Sequence, residues 1–308
     1  MSDSTFLYPV KFLSSPEAMQ RVWPPEESRA YTRWLATHHY ENFHVVSLLL
    51  PKRLHQDFYN VYAFCRWADD LGDEIGDTAE SLRLLAWWRG ELHAMCAGQV
   101  RHPVFVALRS TVREFSLPVT LFDDLIRAFE QDQTVTRYRN FEELFEYCRY
   151  SANPVGRLVL GLCGYRDAER QALSDATCTA LQLANFWQDV TVDLEKDRVY
   201  LPLDLLEAHG YPLEALFARR FDQRFRAAMQ EAVNVTRDLF FKGLPLADSV
   251  DRRLAIDLEL FSRGGLRVLD KIERQDYDVL QSRPAISKVE RVGLLLSALT
   301  RRAFSRAA

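Results

Sequence analysis

Apolar residues recur at helical spacing along most of the chain from Ser28 onward. In the segment 54–76 they stand three or four positions apart, which places them on one face of a helix. No stretch alternates apolar and polar residues between turn residues, so the pattern predicts no sheet. Together these features predict an all-α fold. Further helices are expected over about 79–97, 167–195, 213–242, 247–275 and 285–304.

Glycines and prolines suggest where this helical pattern is broken. Gly264-Gly265 is expected to interrupt the helix over 247–275, because glycine weakens a helix interior. Residues 1–27 contain four prolines and are expected to form an irregular arm. No change in composition marks a later boundary, so residues 28–308 are expected to form a single domain.

The composition is that of an ordinary globular protein, with 48% hydrophobic and 27% charged residues. A net charge of -4 gives no basic surface, so nucleic acid is not an expected partner. The five cysteines form no C-x-x-C pair, which argues against a zinc site or a disulfide framework and favours a reducing, cytoplasmic compartment. The N-terminus does not resemble a signal peptide. The longest apolar runs are too short to span a bilayer.

The first segment with chemical information is a ladder of carboxylates on the helix over 54–76. Asp69, Asp73 and Asp77 follow each other at intervals of four residues, so they share one stripe of the helix. Arg66 lies one turn before Asp69. Asp77 has a second interpretation as the start of the next helix, because Glu80 three positions later completes the pattern of a capping box.

A second ladder lies on the helix expected over 167–195. Asn185, Asp189 and Asp193 again follow each other at intervals of four residues, and Gln182 precedes them on the same face. The other sides of this helix are apolar, so most of it is expected to be buried. Buried carboxylates need cations or hydrogen-bond donors around them.

Each ladder alone also fits a solvated charged face, whereas the two together favour a cation site. Their donors are all oxygen atoms, and Mg2+ typically takes one or two carboxylates together with substrate phosphates. A phosphate-bearing ligand bound through Mg2+ is therefore expected. A di-iron bundle is the competing metal site, but it needs two Glu-x-x-His motifs. The sequence contains one, Glu41-Asn42-Phe43-His44.

With these two ladders the sequence resembles the squalene/phytoene synthases, which join prenyl diphosphates head to head. Asp69-x-x-x-Asp73 is similar to the first aspartate-rich motif of that family, and Gln182-x-x-Asn185-x-x-x-Asp189-x-x-x-Asp193 is similar to the second. The resemblance covers roughly residues 30–300. It implies the single-domain isoprenoid synthase fold, a helical bundle around a central cavity. Other matching segments are 39–51, 137–138, 147–156 and 197–202.

Within this family the likeness is strongest to the bacterial hydroxysqualene synthases of hopanoid biosynthesis. It rests on segments 41–43, 151–157 and 185–189. The resemblance implies that presqualene diphosphate, supplied by a separate synthase, is converted to hydroxysqualene and diphosphate. Water captures the rearranged carbocation in that reaction, so Mg2+ is the expected cofactor and NADPH is not expected.

Three positions depart from the general family pattern. Asn42 stands where serine is usual, Gln188 replaces a common arginine, and Gly265 lies near a position that is often tyrosine. The departures remove groups that would bind a second prenyl diphosphate. They therefore favour a reaction with one prenyl substrate.

The resemblance also assigns expected roles to individual residues. The expected catalytic residues are Asp69, Asp73, Asp189 and Asp193. The same four aspartates together with Asn185 are the expected metal ligands. The expected substrate-binding residues are His39, Arg66, Tyr147, Gln182, Asn185, Arg198 and Tyr200. The expected cavity residues are Phe43, Ala152, Val155, Gly156 and Phe186. The small residues over 151–156 have a second explanation, a helix kink at Pro154.

Two other functions stay open at this point. One is head-to-head condensation of prenyl diphosphates to presqualene diphosphate, squalene or phytoene. The other is a non-enzymatic role like that of the complex I assembly factors that share the fold, although both ladders are complete here. The C-terminal apolar face with Arg301, Arg302 and Arg306 at its tip fits a core helix, and it also fits peripheral contact with anionic lipid.

Overall fold

The structure is a computed structural model that describes residues 6–38, 50–287 and 290. Within these residues the chain forms α-helices and short 3-10 turns but no strand. One isolated parallel bridge joins Arg137 to Val199. The predicted all-α fold is confirmed. In the described ranges, every helix is too short or too polar to cross a membrane.

The chain divides into two compact units. Unit 1 consists of Met1–Thr134 with Arg157–Arg166, and unit 2 consists of Val135–Gly156 with Asp167–Ala308. The composition along the sequence does not mark these boundaries. The separation of an arm over 1–27 from a domain over 28–308 stays a prediction.

Unit 1 is built around an aromatic core. Trp67 and Trp88 stack with their ring centroids 5.1 Å apart, and the His102 ring packs edge-on 4.4 Å from Trp67. Burial lowers the pKa of His102 to about 3, so its imidazole is neutral in the core. This core fixes the helix that carries the first ladder. The helices of unit 1 are α1 (Pro9–Leu13), α2 (Pro16–Gln20), α3 (Pro25–His38), α4 (His55–Asp73), α5 (Thr78–Cys96), α6 (Pro103–Glu114) and α7 (Val119–Gln131).

Two helices follow in the next part of the chain. Helix α8 (Phe141–Ser151) lies in unit 2, whereas α9 (Asn153–Leu162) begins in unit 2 and ends in unit 1. The remaining helices belong to unit 2. They are α10 (Ala168–Gln188), α11 (Val190–Glu195), α12 (Leu203–Ala208), α13 (Leu213–Phe217), α14 (Gln223–Gly243) and α15 (Arg252–Arg274).

Unit 2 is organised by the packing of α10 against α14. The indole N–H of Trp187 donates to the Thr236 hydroxyl at 2.7 Å, and both residues are buried. A buried N–H group without a partner would destabilise the fold. This hydrogen bond therefore holds the end of α10, and the ladder it carries, against α14.

The prediction of an irregular arm is wrong for the described residues 6–27, because they contain helices. Pro9, Pro16 and Pro25 are each the first residue of one. Proline suits that position because its fixed φ is helical and the first N–H groups of a helix have no partner inside it. The prolines begin helices here instead of breaking the chain.

Two further boundaries differ from the prediction. The helix expected over 213–242 is broken at 218–222, where the Asp222 carboxylate accepts N–H bonds from Arg224 and Phe225 and so starts α14. The predicted interruption at Gly264-Gly265 is wrong, since α15 is continuous. The helix predicted over 285–304 lies almost wholly outside the described residues.

Candidate active site

The first ladder lies on the outer side of α4, with its counter-ion on the same helix. Arg66 Nη1 is 3.0 Å from Asp69 Oδ2, and Arg66 also pairs with Asp70. The Asp69 side chain is 42% exposed, the Asp70 side chain is 6% exposed, and Asp73 is exposed. Asp69 is thus partly exposed beside a cationic group and Asp73 is exposed, and their roles as metal ligands stay predictions.

Asp77, the third position of this stripe, has a structural role. Its carboxylate accepts the backbone N–H of Glu80 at 2.8 Å and caps α5. An N-cap aspartate satisfies one of the N–H groups that a helix start leaves open. The predicted helix start with Asp77 as its N-cap is confirmed, whereas the Glu80 carboxylate binds Arg83.

The second ladder crosses a short break between two helices. Asp189 lies between α10 and α11, but its N–H bonds to the Asn185 carbonyl at 2.9 Å and its carbonyl accepts from Asp193 at 2.9 Å. The four-residue spacing is thus kept through the break. Asn185 is exposed, whereas Gln182, Asp189 and Asp193 are half-buried.

Asp189 binds a cationic side chain from a distant part of the chain. Arg283 Nε donates to Asp189 Oδ1, and Arg283 Nη2 donates to Oδ2 at 3.2 Å. Next to this pair, the side-chain amide of Gln188 donates to the Pro284 carbonyl. Sequence reasoning missed Arg283, because it lies 94 residues after its partner and no local motif marks it.

An aromatic cluster supports the second ladder. The rings of Phe186 and Tyr200 stack with centroids 3.6 Å apart and an interplanar angle of 4°. Tyr138 packs against Tyr147 and Tyr200, at 5.4 and 5.8 Å between centroids. All four residues are buried. The structure brings together the predicted residues Tyr147, Phe186 and Tyr200, and their roles toward substrate stay predictions.

The segment after the ladder is fixed by backbone hydrogen bonds. The N–H of Arg198 donates to the Asp193 carbonyl at 2.8 Å, and the N–H of Val199 donates to the Thr136 carbonyl at 2.9 Å. Arg137 forms an ion pair with Asp197. These contacts hold the backbone of Arg198 directly after the ladder. Its contact with substrate stays a prediction.

The small residues predicted to line a cavity lie at the junction of α8 and α9. A Cβ at Gly156 would lie 2.4 Å from Ser174 Oγ and 2.5 Å from Cys178 Sγ, so close packing against α10 requires this glycine. Ala152 is buried and Val155 is half-buried. Their role as cavity residues stays a prediction. His39 and Phe43 lie outside the described residues.

The oxygen donors of the two ladders fit Mg2+ that arrives with a diphosphate. Among the residues with described positions, no three His, Cys, Asp or Glu side chains cluster closely enough to hold a metal ion. Mg2+ does not need such a cage, since it takes one or two carboxylates and completes its shell with phosphate and water. The ladders contain no histidine, the ligand that a di-iron bundle would use.

Comparison with known proteins gives one consistent family. The model of the family described as squalene/phytoene synthase matches residues 36–290. A hydroxysqualene synthase from Rhodopseudomonas palustris is 34% identical, over 88% of this chain and 93% of that protein. A phytoene synthase from Thermus thermophilus is also 34% identical, over 92% and 94%.

A solved structure extends this likeness to the fold. The squalene synthase HpnC from Alicyclobacillus acidocaldarius superposes with a TM-score of 0.79 at 43% identity, covering 86% of this chain and 98% of that one. The helical architecture is thus the isoprenoid synthase fold that the two ladders suggested. The chain belongs to the squalene/phytoene synthase family.

Proposed function

We propose that this protein is a Mg2+-dependent hydroxysqualene synthase that converts presqualene diphosphate and water to hydroxysqualene and diphosphate. The observation that carries the proposal is the identity of residue 188 and the hydrogen bond of its side chain. Arginine is common there in the family, but this chain has Gln188, and its amide is bound to the Pro284 carbonyl. The position offers no positive charge to a second diphosphate, which favours a single prenyl substrate.

Gly265 supports the same conclusion from another helix. A Cβ at this position would lie 2.1 Å from Cζ of Phe240, a fully buried ring on α14. The buried ring leaves no space for a larger residue at this position, and a tyrosine is often found near it in the family. The packing against Phe240 thus supports a site without that side chain.

The relatives agree with this proposal at the level of the family. Its members act on prenyl diphosphates, and hydroxysqualene synthases from two bacteria are 34% and 32% identical to this chain. Because a phytoene synthase is equally similar, overall identity does not separate the reactions. The residues at positions 188 and 265 support the reaction with one prenyl substrate.

The ladders would bind and activate the leaving group. The C–O bond of presqualene diphosphate breaks, and its electron pair leaves with the diphosphate. Mg2+, when bound, would neutralise the charge that develops there. Each ladder would hold Mg2+ through its own oxygens, Asp69 and Asp73 in the first and Asn185, Asp189 and Asp193 in the second. Arg66 would donate hydrogen bonds to phosphate oxygens, which guanidinium groups bind well.

The remaining chemistry needs an apolar surface and one water molecule. The cation rearranges, the water oxygen bonds to it, and the proton that is lost leaves a neutral alcohol. Aromatic faces attract cations at close range, so the cluster around Phe186 and Tyr147 is proposed to face this intermediate. Water replaces hydride as the terminating group, and no NADPH is then required.

The direct test supplies presqualene diphosphate and Mg2+ to the purified chain without NADPH. Hydroxysqualene in the lipid extract, formed with an equal amount of diphosphate, is the expected result. EDTA should abolish turnover. Squalene as the product, or no product where a control hydroxysqualene synthase works, would overturn the proposal.

The second candidate is head-to-head condensation, which the Thermus thermophilus phytoene synthase favours through its 34% identity. Offering farnesyl or geranylgeranyl diphosphate alone tests it, since the hydroxysqualene synthase proposed here would form no product from either. A separate synthase would then supply presqualene diphosphate. Contact with a membrane stays a prediction, because most of the C-terminal residues that suggest it lie outside the described part of the chain.

A further inference from the structure

The segment that follows α15, residues 275–284, lies against the second ladder, and we refer to it as the strap. Gln188 donates to the Pro284 carbonyl, and Arg283 binds both carboxylate oxygens of Asp189. The Gln281 side chain donates to the Arg219 carbonyl at 3.3 Å. The strap is therefore joined to the ladder by one side chain from the ladder helix, Gln188, and one from the strap, Arg283.

The strap is a packed element of unit 2. Tyr277, Val279 and Leu280 are buried. The Asp278 carboxylate accepts the N–H groups of Leu280 and Gln281 at 3.2 and 3.1 Å. These contacts hold the backbone, so Arg283 is presented to Asp189 from a fixed support.

Arg283 and a divalent cation would compete for the same atoms. Both Asp189 oxygens accept hydrogen bonds from the guanidinium, and these are the oxygens that a metal ligand must offer. A guanidinium and a dication on one carboxylate would also repel each other. A metal ion at either oxygen would displace at least one of these hydrogen bonds, so each partner weakens the binding of the other.

The ion pair can be opened without disturbing the core. The Arg283 side chain is 50% exposed, whereas Asp189 is 16% exposed. Ion pairs with this much solvent access are weak, so a metal ion carrying two charges can displace the arginine. Near this point the strap also has hydrogen bonds from the side chains of Gln188, Gln275 and Gln281, which carry no charge.

We propose that Arg283 is a latch that keeps the strap on the second ladder and competes with divalent metal for Asp189. Metal binding opens this ion pair and loosens the strap around residue 283. The proposal rests on the proposed function, in which Asp189 is a metal ligand. The Arg283–Asp189 ion pair would then raise the metal concentration needed to fill the second ladder.

The test measures metal affinity without turnover. Mn2+ is titrated into the purified full chain, and the EPR signal of free Mn2+ gives the Kd. Arg283→Gln should bind Mn2+ about two- to fivefold more tightly than the unaltered chain, as expected for loss of a weak competing ion pair. Arg283→Lys, which keeps the charge but loses the two-nitrogen contact, should fall between them.

A matched control uses another ion pair of the same strap. Arg226 Nε is 2.6 Å from Asp276 Oδ1, the two side chains are 36% and 59% exposed, and the pair includes no ladder residue. Arg226→Gln should leave the Kd for Mn2+ unchanged. In the unaltered chain, saturating Mg2+ should also speed hydrogen exchange in a peptide covering 279–287, and the Arg283→Gln variant should show little further change.

Asp189→Asn separates failure of the latch from failure of the metal assignment. If Asp189→Asn weakens Mn2+ binding but Arg283→Gln leaves the Kd unchanged, the latch is wrong and the metal site stands. If Asp189→Asn binds Mn2+ as tightly as the unaltered chain, Asp189 is not a metal ligand. That outcome overturns the latch together with this part of the proposed function.

Discussion

The two ladders have the same four-residue spacing but obtain their positive charge in different ways. Asp69 pairs with Arg66, three residues away on the same helix. Asp189 pairs with Arg283, 94 residues later in the chain. The first pair forms wherever α4 is helical, whereas the second requires the tertiary fold of unit 2. A local counter-ion is permanent, and a distant one can be released.

The largest expected effect tests whether the ladders contribute equally despite this difference. Asp69→Asn and Asp189→Asn should each lower kcat/KM for presqualene diphosphate by about 10²–10³, since each would remove a charge that stabilises the transition state. Circular dichroism should show unchanged helicity. The matched control is Asp77→Asn on the same stripe, because asparagine also caps a helix and Asp77 has no proposed role in catalysis.

If Asp77→Asn loses as much activity as Asp69→Asn, the first ladder acts through its total negative charge and not through metal ligation by Asp69. If one of the two ladder variants keeps full activity, the ladders are not equivalent. Either result would break the comparison. The same assay with added Mg2+ would show whether an excess of metal restores the lost rate.

The next effect compares the two arginines by stability. Arg66 is the partner of the buried Asp70 carboxylate as well as of Asp69. Arg66→Gln should therefore lower the free energy of unfolding by about 3 kcal/mol, because it removes a cationic partner of a buried carboxylate. Arg283→Gln should cost less than about 1 kcal/mol. Urea unfolding measures both values, and equal costs would contradict the distinction between a permanent and a releasable counter-ion.

A smaller effect tests the packing beneath the second ladder. Gly265→Ala should lower the free energy of unfolding by about 1–3 kcal/mol, because the new methyl group overlaps the Phe240 ring. Gly264→Ala is the control one residue earlier, where no atom lies within 4 Å of the new Cβ. It should be neutral or stabilising by up to about 1 kcal/mol, since alanine favours helix. Equal destabilisation by both would show that the contact with Phe240 does not explain the loss, because alanine raises helix propensity at either position.

A pH-dependent effect sharpens the comparison of the units through their buried ionisable groups. In unit 2, Asp257 is 2% exposed, and neither carboxylate oxygen has a hydrogen-bond partner within the described part of the chain. Desolvation raises its pKa to about 8. The stability of the folded state is thus complete below the ordinary carboxyl pKa and falls as the pH rises toward 8, by about 1 kcal/mol per pH unit.

Asp257→Asn should flatten this dependence between pH 5 and about 8, as measured by urea unfolding at each pH. His102 in unit 1 predicts the opposite sign. Burial lowers its pKa to about 3, so stability is lost as the pH falls from the ordinary histidine pKa toward that value. A variant Asp257→Asn with an unchanged alkaline slope would show that another group controls it.

Sequence reasoning located both ladders because their spacing and helical context are local. It also found the capping role of Asp77, since the Glu80 N–H that this carboxylate accepts is three residues away. It missed Arg283 and misjudged Gly265, because each depends on a residue brought near by tertiary packing. The continuous α15 shows that a glycine pair breaks a helix only where packing does not require its small size.

The stack of Phe186 on Tyr200 has a consequence for protein engineering. The second ladder is held in register with the segment 197–200 by this ring pair, and that segment is held in turn by the Thr136 carbonyl and the side chain of Arg137. A ladder helix transplanted alone into another scaffold would lose this bracing. A functional graft has to include both stretches of chain, and an insertion between Glu195 and Tyr200 would disturb the ladder without altering any of its oxygen donors.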